Sequence, residues 1–81
     1  MDKVRQDIHL FPNPARGTIT ITNIKAGDQL SIFNIQGNLV TRKTASSGQE
    51  SVSVEKFASG VYMLQVTDRD NSNRIIRFTK F

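Results

Sequence analysis

The chain has 81 residues and contains no cysteine, no tryptophan and only one histidine. Without cysteine it forms neither a disulfide framework nor a thiolate metal site, so cysteine usage leaves the redox compartment undetermined. The single histidine, His9, lies between Ile8 and Leu10. Alternation along a strand directs His9 away from their face and toward solvent. Because no second histidine or cysteine completes a ligand set, we expect no metal ion at this position.

Long apolar segments are also missing from the sequence. No stretch approaches the ~18 apolar residues of a membrane-spanning helix, and the opening MDKVRQD lacks the apolar centre of a secretory signal. We therefore expect no membrane span, and we interpret residues 1–7 as a junction or linker remnant. Residues 8–81 are long enough for one domain with a single compact core.

Acidic residues are few, seven against eleven Lys plus Arg, which gives a net charge of +4. The basic residues are scattered, without the aromatic residues that a nucleic-acid platform places between them, so no nucleic-acid partner is expected. The acids fall mostly at predicted turns and strand ends, as solvated loop charges, and form no paired-carboxylate cleft. The five glycines are isolated and none opens a phosphate-binding helix.

A calcium loop is the nearest approach to a ligand site, because Asp68, Asp70 and Ser72 match its opening positions. The match fails at Asn73 and Thr79, which stand where the loop requires glycine and glutamate. A polar hairpin tip is the better interpretation. The sequence thus predicts no catalytic, cofactor-binding or metal-binding residues, no cofactor and no enzyme activity.

Short alternating segments dominate the rest of the chain, and no helical spacing extends beyond one turn. Their near-regular spacing predicts about seven strands in an all-β sandwich or barrel. The predicted strands are residues 8–11, 18–22, 29–35, 39–44, 51–54, 61–67 and 74–80. Side-chain parity predicts a core formed by Ile19, Ile21, Leu30, Ile32, Val52, Val54, Tyr62, Leu64, Val66, Ile76 and Phe78.

The third predicted strand is apolar on both parities, because Leu30 and Ile32 alternate with Phe33 and Ile35. It is therefore either buried on both faces or interrupted by a bulge. The sequence QGN that follows places Gly37 where a tight hairpin requires positive φ.

Two further motifs lie next to the predicted strands. In LFPNPARGTITI, Pro12 and Pro14 fix φ and lack amide donors, so this segment cannot lie in the middle of a sheet. Gly60 and Tyr62, at the head of the longest strand, resemble a tyrosine corner, whose hydroxyl bonds to a backbone group just upstream. The alternative is an ordinary strand tyrosine with its hydroxyl in water.

Taken in order, LFPNPARGTITI, LSIFNIQGNLV, VSVEKFASGVYMLQV and RIIRFTKF resemble the successive motifs of a type IX secretion C-terminal sorting domain, also called the Por secretion system sorting domain. The resemblance covers residues 8–81. It departs at Phe11, where tyrosine is common in that family, and at the end of the chain, where Phe81 follows a single lysine.

The resemblance implies a small immunoglobulin-like antiparallel β-sandwich at the C-terminus of secreted or cell-surface proteins of Bacteroidetes. Such a domain is non-catalytic and directs a covalently attached N-terminal cargo domain across the periplasm and through an outer-membrane translocon. The implied partners are the type IX translocon, its outer-membrane shuttle proteins and a sortase-like protease that removes the domain at the cell surface.

The last predicted strand is the candidate address, by which we mean the part of the domain that the secretion apparatus recognises. Ile76 and Phe78 share the core parity, which leaves Ile75, Arg77 and the residues that follow at odd positions on the opposite face. A strand at the chain end can offer a free edge or its carboxylate to a receptor. The motif and recognition candidates are Pro12, Asn13, Pro14, Gly37, Gly60, Tyr62, Arg74, Arg77, Lys80 and Phe81.

Two other functions remain open at this point. The first is an accessory adhesion or carbohydrate-binding β-sandwich of a secreted enzyme, which needs exposed aromatic rings, whereas this chain has no tryptophan and assigns its one tyrosine to the core. The second is a fibronectin-like spacer, which can be moved within a chain without losing its function. A sorting signal should work only at the C-terminus.

Overall fold

A computed structural model describes residues 8–81, so the predicted junction at residues 1–7 lies outside the described residues. Seven strands form two antiparallel sheets, which confirms the predicted all-β sandwich. The strands are β1 (His9–Phe11), β2 (Thr18–Thr22), β3 (Gln29–Asn34), β4 (Leu39–Thr44), β5 (Gln49–Ser53), β6 (Gly60–Thr67) and β7 (Asn73–Lys80). Within this described range no helix has the length and hydropathy needed to cross a membrane.

The three-stranded sheet has the order β1-β2-β5, and the four-stranded sheet has the order β4-β3-β6-β7. The predicted bounds of β2 and β4 are confirmed, whereas β3 ends one residue early and leaves Ile35 in the turn, 71% exposed. The bounds predicted for β5 are wrong. Gln49 and Glu50 already pair with β2, and Val54 lies beyond the strand although it is buried.

The core lies between the sheets and contains every residue predicted for it except Val52 and Ile76, which are only half-buried. Both exceptions lie on strands at a sheet edge, β5 and β7, where a side chain has neighbours on fewer sides. Three loop residues complete the core without any strand pattern to reveal them: Ala15, Ile24 and Ala45.

Tyr62 forms the tyrosine corner. Its ring packs between Phe57 and Phe78, with centroids 5.1 and 5.7 Å away. Its hydroxyl donates a hydrogen bond of 2.6 Å to the carbonyl oxygen of Ala58. The corner was one of two alternatives for this residue, and it is confirmed, since the polar end of a buried ring is satisfied by backbone just upstream.

The apolar residues on the two parities of β3 face opposite sides of the sheet, and the bulge in this region lies in the partner strand β4. β3 pairs regularly with β6, but its register with β4 shifts between Ile32 and Phe33, where Val40 is the extra residue on β4. Ile32 is buried in the core, whereas Phe33 lies on the outer face of the sheet and is half-buried.

Among residues 8–81, two carboxylates are buried, which corrects the expectation that the acids are solvated loop charges. The Asp28 carboxylate accepts the amide of Lys25 at 2.9 Å. Glu50 accepts both the amide and the hydroxyl of Ser46 at 2.7 Å, and its other oxygen lies 3.0 Å from the Lys43 ammonium. Because Lys43 belongs to β4 and Glu50 to β5, this ion pair links the two sheets.

Because of these contacts, the stability of the domain should change with pH in the acidic range. The Ser46 amide and hydroxyl, and then Lys43, lower the pKa of Glu50 from 4.5 to about 2. A carboxyl whose pKa is lower in the folded state stabilises that state above its unfolded pKa of 4.5, and the contribution is lost as pH falls toward 2. We expect Glu50→Gln to flatten this part of a profile of urea midpoint against pH. The exposed Glu55→Gln should keep the native slope, and an unchanged slope in Glu50→Gln would contradict the assignment.

Gly37 adopts the positive φ expected of it, +87°, in the turn between β3 and β4. Its amide donates to the carbonyl of Asn34, whose side-chain oxygen also accepts the amides of Gln36 and Asn38. A β-branched residue is strained at this φ, so Gly37→Val should lower the free energy of unfolding by more than ~1 kcal/mol.

Urea unfolding tests the Gly37 prediction against a matched control. Gly17→Val is suitable because a Cβ at Gly17 has open space around it and its φ is not positive. Gly48 is less suitable, since a Cβ there would lie 3.3 Å from the Ile24 carbonyl oxygen. Equal losses in the Gly37 and Gly17 variants would refute the turn assignment.

Candidate recognition site at the terminal strand

The last strand, β7, lies at one edge of the four-stranded sheet, and the proline corner covers part of that edge. On one side β7 pairs with β6 along its whole length. On the other side the Ala15 amide donates to the carbonyl of Thr79 at 2.7 Å, and the Phe81 amide donates to the carbonyl of Ala15 at 2.9 Å. The connection between β1 and β2 thus crosses from one sheet to the other.

The side chain of Asn13 completes this contact. Its Oδ1 accepts the Thr79 amide at 3.0 Å, and its Nδ2 donates to the Arg77 carbonyl at 3.5 Å. Pro12 and Pro14 flank it without amides of their own, and the peptide bonds that precede both prolines are cis. An asparagine between two prolines therefore supplies, from its side chain, the donor and the acceptor that the edge of a strand requires. We call Asn13, Ala15, Arg77, Thr79 and Phe81 the corner–strand junction.

The expectation of a free edge at the end of the chain is wrong for the last residues of β7. The carbonyl of Arg77, the amide and carbonyl of Thr79 and the amide of Phe81 are all bonded to the corner. An exposed strand edge is a template for unwanted pairing, and covering it with another segment is a common protection. At the end of the strand, side chains such as those of Arg77 and Phe81 are exposed, whereas these backbone groups are covered.

The three basic candidates of β7 have different surroundings. Arg77 is exposed on the outer face of the sheet, opposite Met63. Lys80 has the core parity and is only 7% exposed, and its ammonium donates to the Phe81 carbonyl oxygen at 2.7 Å. Arg74 is half-buried near the start of the strand. Of the three, Arg77 is the cation that lies open to solvent.

Phe81 is 56% exposed, with the guanidinium of Arg16 lying 5.3 Å from the centroid of its ring. This is a cation–π contact at the surface, worth roughly 0.5–1 kcal/mol in such settings. Together with Arg77 it gives the end of the domain an apolar and cationic surface.

The structure brings most of the sequence candidates together and leaves two apart. Gly60 pairs with Lys80, and Tyr62 packs on Phe78 of the same strand pair, so both lie beside the junction. Gly37, in the β3–β4 turn, and Arg74, near the start of β7, do not belong to it.

Three residues of this region were not among the sequence candidates: Ala15, Arg16 and Thr79. Ala15 and Thr79 act through backbone groups, which carry no side-chain signal. The one sequence feature that could have indicated this contact is the small size of Ala15 after the second proline, because a fully buried position beside a strand has room only for a small side chain.

Comparison with known proteins identifies a shared module. The profile of the secretion system C-terminal sorting domain family matches residues 9–78. The β-agarase A of Zobellia galactanivorans is 31% identical over 67 residues, and the ulvan lyase NLR42 of Nonlabens ulvanivorans is 37% identical over 67 residues. These alignments cover 80% and 79% of this chain but only 12% of each relative. The chain thus spans a small part of the length of the curated relatives it matches.

A solved structure shares the fold. It is that of PorZ, described as an essential bacterial surface component of the type-IX secretion system of Porphyromonas gingivalis. The TM-score is 0.83 at 25% sequence identity, over 91% of this chain and 11% of the PorZ chain. The same sandwich therefore occurs in a larger protein of that system.

Proposed function

Because this chain belongs to the family of secretion system C-terminal sorting domains, whose members are C-terminal secretion signals, we propose that its address is the exposed side of the folded end of β7. The domain is a type IX secretion signal that directs attached protein to the outside of the cell or to its surface. The proposed readers are the type IX translocon and its outer-membrane shuttle proteins.

The observation that carries this proposal is the corner–strand junction. The end of β7 is held by β6 on one side and by Asn13 and Ala15 on the other. Residues at a chain end are usually poorly ordered unless they are tied down. Here the hydrogen bonds fix where Arg77 and Phe81 lie, so a receptor meets one defined surface and avoids the cost of ordering a flexible peptide.

The remaining parts of the proposal concern the whole protein. The domain acts as an address and not as a catalyst, and its attached N-terminal cargo is a secreted enzyme, as the similarity to the agarase and the ulvan lyase suggests. A sortase-like protease at the cell surface removes the domain after export.

Substitution of Arg77 tests the address. We expect Arg77→Ser to lower the surface yield of a fused reporter about tenfold in a type IX-competent host, as for loss of a central arginine in an interface. The thermal melt should stay unchanged because the side chain is exposed. Lys80 is unsuitable for this test, since its burial would confound recognition with stability.

Lys56→Ser is the matched control, because Lys56 is an exposed cation in the loop between β5 and β6, outside the junction. It should export at the native yield. A stable Arg77→Ser domain that also exports normally would show that the end of β7 is scaffold and that the address lies elsewhere.

A further inference from the structure

The outer faces of the two sheets differ in chemistry. On the three-stranded sheet, the residues of β2 and β5 that alternate with the core residues are threonine, serine and glutamine. Thr20 and Ser51, for example, face each other across the strands with their hydroxyls 3.5 Å apart. Apart from Phe11 at the β1 edge, which pairs with Thr20 and is 48% exposed, this face is polar.

On the outer face of the four-stranded sheet, three apolar residues and one arginine form a row that crosses all four strands. The register aligns Leu39 of β4, Phe33 of β3, Met63 of β6 and Arg77 of β7. In the next row, Arg42, Ser31, Gln65 and Ile75 are aligned in the same way. At a strand spacing of about 4.8 Å, each row is roughly 15 Å wide.

The apolar side chains of these rows are accessible. Leu39 is 47% exposed and Ile75 63%, while Phe33 and Met63 between them are half-buried. Exposed apolar residues scattered singly need no explanation, but a contiguous apolar patch rimmed by polar groups marks an interaction site. The pattern also accounts for Phe33, whose parity the core does not use.

The charge on this face has a single sign. None of the four strands contains an Asp or a Glu. Arg42 and Arg77 lie at opposite edges of the face, on β4 and β7, and the Nε of Arg42 donates to the hydroxyl of Ser31 at 3.3 Å. The face thus has an apolar centre and a cation at each edge.

We propose that this outer face docks on a protein of the secretion apparatus through an apolar patch of that protein edged by carboxylates. The apolar centre is Leu39, Phe33, Met63 and Ile75, and the flanking cations are Arg42 and Arg77. This inference rests on the proposed function and extends it, because the surface that is read then reaches from β7 across the sheet to β4. The central apolar contacts supply affinity, and the flanking cations supply orientation and selectivity.

The same observations disfavour the other occupants of such a face. A second copy would bring two acid-free cationic faces together, and juxtaposed like charges are costly at an interface. Binding to an anionic membrane surface gains only about 1 kcal/mol of binding free energy per basic residue, and this face has two outward arginines.

Variants of β4 test the face apart from the terminal strand, because β4 lies at the opposite edge of the sheet. We expect Leu39→Thr combined with Arg42→Glu, in an otherwise native domain fused to a reporter, to lower surface yield at least fivefold. The thermal melt should stay within the range of other surface variants. Lys25→Glu, which makes the same charge change on an exposed loop outside the face, should export normally.

The outcomes separate this inference from the proposed function. If Arg77→Ser blocks export while the Leu39→Thr, Arg42→Glu domain exports normally, the address is confined to β7 and the face inference is overturned. If the double variant and Arg77→Ser both export normally, both proposals fail.

Two solution measurements test the alternatives that the face binds a second copy of the domain or a lipid membrane. A native domain that dimerises in sedimentation, with the dimer lost in the double variant, would assign the face to a second copy. Co-sedimentation with phosphatidylglycerol vesicles that is lost in the double variant would assign it to lipid. Either result overturns docking on a protein of the apparatus. Docking is supported if the native domain is monomeric and does not bind vesicles while the double variant loses export.

Discussion

Replacing Leu64 by alanine should lower the free energy of unfolding by about 2–5 kcal/mol, the range for truncating a fully buried leucine. Leu64 lies on β6 with no exposed surface and pairs with Ile32 on one side and Ile76 on the other. The single core of so short a chain cannot easily refill the cavity. Since small domains have total stabilities of only about 5–15 kcal/mol, the variant should be close to unfolding at physiological temperature.

Leu39→Ala is the control for this prediction, because it makes the same chemical change at a position that is 47% exposed on β4. It should lower the free energy of unfolding by about 0.5 kcal/mol. Urea unfolding of both variants measures and compares the two losses in the free energy of unfolding. A loss below ~0.5 kcal/mol in Leu64→Ala would mean that Leu64 does not occupy the core.

Phe78→Ala should cost about 3–5 kcal/mol, the range for truncation of a buried aromatic residue. Phe78 is fully buried and stacks on Tyr62 at 5.7 Å, so its loss removes core volume and one wall of the tyrosine corner together. Because it also anchors β7 to the core, we expect the variant to lose export through unfolding.

Phe81→Ala removes the same ring from the surface, where it contacts Arg16. It should cost less than ~1 kcal/mol, the value of an exposed cation–π contact. Calorimetric melts of the two variants provide the comparison. Similar melting temperatures would contradict the assignment of Phe78 to the core and of Phe81 to the surface.

Parity arguments predicted the strands and most of the core because alternation is a local property. In β2 and β6, apolar residues at every second position identify the buried face, and the structure buries those side chains. The same argument overestimates the burial of Val52 and Ile76, because alternation identifies a face but not how far a strand lies from the edge of its sheet.

The contacts that define the candidate site were not predictable in this way. Asn13 meets β7 across 64 and 66 residues of sequence, and Ala15 acts through its backbone. The prolines correctly indicated a segment outside the middle of a sheet, but nothing local indicated which edge it would cover. The burial of Glu50 has a similar origin, because the sheet-to-sheet pairing with Lys43 depends on how the two sheets stack.

These long-range contacts make the end of β7 a property of the folded domain. A peptide with the sequence RIIRFTKF lacks both the pairing with β6 and the contact with Asn13. These contacts support the hypothesis that the address requires a folded domain whose last strand is held by the corner. Because the family is that of a C-terminal sorting domain, we further expect this strand to act only at the C-terminus of a protein.

The most direct test extends the chain beyond Phe81. A reporter carrying the native domain is compared, in a type IX-competent host, with the same fusion followed by a short Gly-Ser extension, after equal thermal melts have shown that both domains are folded. We expect the native fusion to reach the cell surface and the extended one to be retained. Equal surface yields from the two fusions would contradict this expectation.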